Sequence, residues 1–127
     1  MLRRNGNGRG HILVVDDSLA LAENIAEVFG LEGLESVVAA NAEEALALTL
    51  VRDLTAVITD LRLPGIDGTE LVNRLRPGRE HVRFALISAY SDEDTMNRAR
   101  EVGASFFPKP IDIGRLTRFV RGLGALA

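Results

Sequence analysis

Apolar residues recur along this chain in two alternating rhythms: short runs rich in β-branched side chains, and longer stretches with the spacing of one helix face. His11-Ile12-Leu13-Val14-Val15-Asp16 predicts a first buried strand. Ala22, Ile25, Ala26 and Phe29 then recur at i, i+3, i+4 and i+7, the stripe of an amphipathic helix that Gly30 and Gly33 can end. Residues 34–40 predict a second, weaker strand. Asn41, followed three residues later by Glu44, has the form of a capping box and opens a helix to about Val51.

Residues 54–60 predict a third strand, closing on Ala56-Val57-Ile58-Thr59-Asp60. Leu63-Pro64-Gly65 turns the chain, Asp67 with Glu70 opens a short helix to about Leu75, and Pro77-Gly78 breaks it again. Residues 82–88 read as a fourth strand. Ser91 can cap a helix carrying Met96, Ala99 and Val102, which Gly103 ends. Residues 104–107 form a fifth strand, stopped by Pro108 and Pro110, and Leu116, Phe119, Val120 and Leu123 mark the last helix. Repeated βα units of this kind imply a parallel sheet covered by helices on both faces.

Composition narrows the function classes. The 127 residues are 46% apolar and 26% charged, enough for one domain with a real core. The expected division is a basic flexible tail over 1–9, one domain over 10–122 and a C-terminal tail over 123–127. No cysteine is present, which excludes a disulfide framework, a thiolate nucleophile and a Cys-based metal site. The apolar runs are too short to span a bilayer, and Asn5-Gly6-Asn7-Gly8 stands where a signal peptide would be apolar, so a cytoplasmic protein is expected. The net charge of −3 hides an asymmetry: the first ten residues hold Arg3, Arg4 and Arg9 and no acid, leaving 12 basic and 18 acidic groups in the rest. An acidic body argues against direct nucleic-acid binding. Of the 15 basic residues only Lys109 is a lysine, the one compact cationic point charge in the chain.

Polar residues fall at the strand ends. Asp16 and Asp17 close the first strand, Asp60 the third and Ser88 the fourth, and Lys109 follows the fifth. In an open parallel α/β sheet the C-terminal ends of the strands share one edge, so these residues should converge on one crevice. Three crowded carboxylates repel unless one protonates or a cation joins them. Hard oxygen donors in that number suit Mg2+ together with phosphate oxygens. A carboxylate nucleophile, a lysine and a hydroxyl beside such a metal are the parts that phosphoryl transfer to an aspartate needs. Blander readings compete: Asp16 and Asp17 as helix caps, Ser88 as a turn-former, Lys109 as a surface lysine and Phe106 as plain core.

Val14-Val15-Asp16-Asp17-Ser18, the stretch from Thr59 through Asp60, Pro64 and Gly65 to Gly68, Ile87-Ser88-Ala89, and Gly103-Ala104-Ser105-Phe106-Phe107-Pro108-Lys109-Pro110 occur in that order. Together they resemble the response-regulator receiver domain, the phospho-accepting module of two-component signalling. The resemblance covers about residues 10 to 122. It implies a flavodoxin-like α/β sandwich, with a five-stranded parallel sheet of order 2-1-3-4-5 and a cis Lys109–Pro110 bond. It implies that Asp60 accepts the phosphoryl group, that Asp16, Asp17, Asp60 and the backbone carbonyl of Arg62 hold Mg2+, and that Lys109 pairs with the phosphoryl group. Ser88 stands as the switch hydroxyl and Phe106 as the switch aromatic.

The implied donor is a sensor histidine kinase or phosphotransfer protein, and the implied reader is a downstream effector protein or an output domain not contained in this chain. A homodimer through the last two helices is left open. The chain is expected to be a signalling module and not an enzyme. A phosphohydrolase would need a further acid and a cap that the 61–65 loop lacks, and a binding-only domain would be expected to lack one of the Asp, Ser or Lys groups. Arg62 and Tyr90, both large, stand where the family's path for hydrolytic water runs, so slow loss of the phosphoryl group is expected.

Overall fold

The computed structural model describes residues 11–50 and 53–122. Its elements run β1 (His11–Val15), α1 (Leu19–Leu31), β2 (Ser36–Ala39), α2 (Ala42–Thr49), β3 (Leu54–Asp60), α3 (Gly68–Leu75), β4 (Arg83–Ser88), α4 (Glu93–Glu101), β5 (Ser105–Pro108) and α5 (Ile113–Val120). All the strand pairings are parallel, and the sheet order is β2-β1-β3-β4-β5. This is the expected flavodoxin-like sandwich. The expected tails over 1–9 and 123–127, with Leu123 and the end of the second helix at Val51, lie outside the described residues.

The unbroken apolar runs of the strands follow from burial on both faces. Successive side chains alternate. Leu13, Val15, Val57 and Leu86 therefore face one layer, where Ala42 and Ala45 of α2, Leu71, Val72 and Leu75 of α3 and Ala99 of α4 cover them. Ile12, Val14, Ile58 and Ile87 face the other, against Ala22, Ile25 and Phe29 of α1 and Leu116, Phe119 and Val120 of α5. The two adjacent phenylalanines of β5 part company for the same reason. Phe107 makes an edge-to-face pair with Phe119 at 5.3 Å in the α1–α5 layer, and Phe106 packs half-buried on the α4 side.

Local chemistry sets the helix ends. Asn41 Oδ1 accepts from the Glu44 N–H, while Glu44 Oε1 accepts from the Ala40 N–H at 2.8 Å, so the box closes one residue further out than the usual form. Gly30 lies inside α1, and Gly33 ends it: at φ +79° it lets Leu34 N–H reach Phe29 O and its own N–H reach Gly30 O, a Schellman stop. Asp92, not Ser91, caps α4, its side chain accepting from the Thr95 N–H at 2.8 Å. On α4 the buried residues are Thr95 and Ala99, with Val102 buried at its C-terminal cap, and Met96 is exposed. The Lys109–Pro110 bond is cis. Among the described residues no helix is long and apolar enough to cross a membrane.

Candidate functional site

The parallel register delivers the strand ends to one rim. Val15 pairs with Thr59, Asp60 with Ile87, and Ser88 with Pro108, so the residue after each pair projects from the same edge. Backbone bonds then fix the turns: Asp16 N–H to Ala39 O at 3.1 Å, Leu61 N–H to Ile87 O at 2.8 Å and Lys109 N–H to Ser88 O at 2.9 Å. Asp16, Asp60 and Ser88 are buried, while Asp17 is exposed and Lys109 half-buried.

Carboxylate oxygens of Asp16, Asp17 and Asp60 all lie within 4.8 Å of one another. Lys109 Nζ stands 3.5 Å from both Asp60 Oδ2 and Asp16 Oδ2. The Asp16 contact has charge proximity without hydrogen-bond geometry, and Asp16 Oδ2 is a buried oxygen with no hydrogen-bond partner. Burial, with the Asp16 charge beside it, raises the Asp60 carboxyl above its ordinary range, and Lys109 and the Arg62 backbone N–H only partly offset this. One ammonium among three carboxylates leaves a net negative cluster with an oxygen short of a donor. Those are conditions that a hard divalent cation relieves, so the donor set fits Mg2+.

The capping alternative for Asp16 and Asp17 fails on geometry. Ser18 is the N-cap of α1, its hydroxyl accepting from the Leu21 N–H, and Asp16 Oδ1 accepts from the Ser18 N–H at 2.8 Å. Asp17 caps nothing among the described residues. Ser88 Oγ accepts from the Tyr90 N–H at 2.9 Å, which holds the hydroxyl in the β4–α4 turn. Phe106 borders a surface groove of about 340 Å3 with Met96, Ala99, Arg100 and Ala104.

Matches to known proteins agree with this geometry. The family model for the response regulator receiver domain fits residues 12–121. The chain belongs to the response regulator receiver family. It is 33% identical to sporulation initiation phosphotransferase F of Bacillus subtilis over 87% of this chain and 90% of that one. It is 34% identical to response regulator protein PilR of Pseudomonas aeruginosa, across 88% of this chain and only 25% of that protein's length. Among solved structures, a response regulator receiver protein from Pseudomonas putida superposes with a TM-score of 0.83 at 28% identity, covering 91% of this chain and 98% of that one. A CheY-like receiver domain protein from Methanospirillum hungatei gives 0.83 at 25% identity, over 91% and 93%. The receiver is thus a phosphorelay signalling module of two-component systems, with an acidic pocket at Asp16, Asp17 and Asp60.

The sequence predicts a helix opening at Asp67, and the structure bears this out, with Gly68 as its first residue. Asp67 is the N-cap of α3, accepting from the Glu70 N–H at 3.0 Å, and it also pairs with Arg98 on α4. Burial alone would raise its carboxyl, yet bonds from Thr69, the Glu70 N–H and Arg98 hold it below the ordinary range. Gly68 packs on β3 so closely that a Cβ there would lie 2.4 Å from Asp60 O. Glycine at the first helical position was the only sequence signal for this contact. No local pattern signals an Asp67–Arg98 pair 31 residues apart.

Proposed function

We propose that Asp60 is the phosphoacceptor of this receiver, taking the phosphoryl group from the phosphohistidine of a sensor histidine kinase or phosphotransfer protein in the cytoplasm. The observation that carries this is Asp60 itself: a buried carboxylate at a strand end, 3.5 Å from the chain's single lysine and grouped with two further aspartates. In the transfer an Asp60 carboxylate oxygen forms the new bond to phosphorus as the P–N bond breaks, and the imidazole leaves with the electron pair. Lys109 is placed to pair with the equatorial oxygens of the transferred group, where charge is spread in the transition state.

Asp16, Asp17, Asp60 and the Arg62 carbonyl would hold Mg2+, which when bound supplies charge neutralisation for carboxylates and phosphoryl oxygens alike. Ser88 responds by exchanging its bond from the Tyr90 N–H for one donated to a phosphoryl oxygen. Phe106, half-buried beside α4, then changes its packing, and a population shift alters the surface that α4 and β5 offer to an effector or output domain.

The test is incubation with a small-molecule phosphodonor and magnesium, read by intact mass. Wild type gains one phosphoryl group and Asp60→Asn gains none. Labelling of both proteins alike, or of neither, removes Asp60 from the role.

A further inference from the structure

Neighbouring helices α3 and α4 are attached to the sheet very differently. α3 buries Gly68, Leu71, Val72 and Leu75, whereas α4 buries only Thr95 and Ala99 along its length. The placement of α4 against α3 therefore leans on polar links. Arg98 of α4 donates through Nη2 to Asp67 Oδ2 and, at 3.1 Å, to Thr69 Oγ1. Thr69 Oγ1 in turn donates to Asp67 Oδ1 at 2.7 Å. Arg98 thus grips the N-cap of the helix whose first residue, Gly68, abuts the Asp60 carbonyl. The link reaches the acceptor strand from its far neighbour.

With Asp60 as the acceptor, we infer that the Arg98–Asp67 pair is a restraining clasp: it holds α4 in its resting placement and so sets how readily the site takes up a phosphoryl group. Ser88 Oγ accepts from the Tyr90 N–H in the turn directly ahead of α4. When the hydroxyl turns to a phosphoryl group, that bond is lost and the turn rearranges. α3 is pinned by its buried side chains, so the displacement falls on α4 and separates Arg98 from Asp67. An interaction made in only one of two conformations opposes the shift by its own free energy. The paired side chains are 37% and 39% exposed. At the strength of a partly exposed ion pair, losing the clasp tightens binding of a phosphoryl mimic about two- to fivefold.

Calorimetric titration of the full chain with beryllium fluoride and Mg2+ tests this. Arg98→Met should bind about two- to fivefold tighter than wild type, and Arg98→Lys should recover much of the wild-type affinity by restoring the cation. Asp67→Asn keeps a good helix cap and loses the charge, so it should tighten binding equally, and the double variant should go no further than either single. Thermal melts confirm that each variant is folded; a loss that was only structural would leave affinity unchanged or weaker. Unchanged or weaker binding by Arg98→Met, or additive effects in the double variant, overturns the clasp. Wild type that binds no mimic, like Asp60→Asn, instead removes the acceptor assignment and the clasp with it.

Discussion

The Arg62 guanidinium lies over the Tyr90 ring, 4.6 Å from its centroid. Arg62 stands two residues after Asp60 and Tyr90 two after Ser88, so the stack joins the β3–α3 loop to the β4–α4 loop across the rim of the site. Both side chains are exposed, which puts the contact at the weaker end for such pairs, about 0.5–1 kcal/mol.

That bridge gives the expected slow hydrolysis a physical form. Water attacking a phosphorylated Asp60 would have to pass the paired side chains. Replacing both by alanine should speed loss of the phosphoryl group, and a barrier lowered by about 1 kcal/mol corresponds to roughly fivefold. Decay of the phosphorylated protein, followed by intact mass, measures it; an unchanged half-life would show that the stack does not gate water.

Asp60→Asn should stabilise the magnesium-free protein at neutral pH. Burial and the neighbouring Asp16 charge raise the folded-state pKa of Asp60. Below the ordinary carboxylate range, folded and unfolded chains both hold the proton and the substitution changes little. As pH rises through that range the unfolded chain releases its proton first, so stability falls, and the loss is complete above the raised value. The Tm difference between the variant and wild type should therefore grow from acid to neutral pH. It should shrink or reverse with added Mg2+, which would favour the wild-type carboxylate. A difference that does not change with pH would refute the account.

Gly68→Ala should damage both stability and phosphorylation. Its Cβ would meet Asp60 O at 2.4 Å and Leu86 Cδ2 at 2.8 Å, and the first is backbone that cannot swing aside. Overpacking of this kind costs about 1–3 kcal/mol. Urea unfolding measures that cost, and the rate of labelling by a small phosphodonor reports the displacement of Asp60. Wild-type values for both would mean that α3 retreats freely.

Lys109→Met should leave Asp16 and Asp60 without their shared cation and lower stability at neutral pH. Lys109→Arg should restore charge yet not full labelling, because a planar guanidinium cannot replace a compact ammonium between two buried carboxylates. Full activity in the arginine variant would show that charge alone suffices there.

Much of the architecture was legible because it is encoded locally. The strand runs, the Asn41 and Asp67 caps and the helix stop at Gly33 each depend on residues within a few positions of one another. The misplacements were local too. Gly30 is carried inside α1, and the cap of α4 moved from Ser91 to Asp92 because either oxygen can accept from the first turn and only packing selects between them. Thr95 and not Met96 is buried because Thr95, Ala99 and Val102, at i, i+4 and i+7, share the face that packs inward.

That Asp16, Asp17, Asp60, Ser88 and Lys109 share one rim was written in the chain, because parallel strands put every such end on the same edge whatever the details of packing. How the neighbours of that cluster connect came from the packing of the folded chain. The Arg62–Tyr90 stack, the Arg98–Asp67 pair, the close approach of Gly68 to Leu86 and the packing of Phe106 beside α4 all join residues from different βα units. Periodicity fixes which face of an element is apolar. It does not fix which long side chain on one element reaches a particular partner on the next, since that depends on how the helices settle against the sheet.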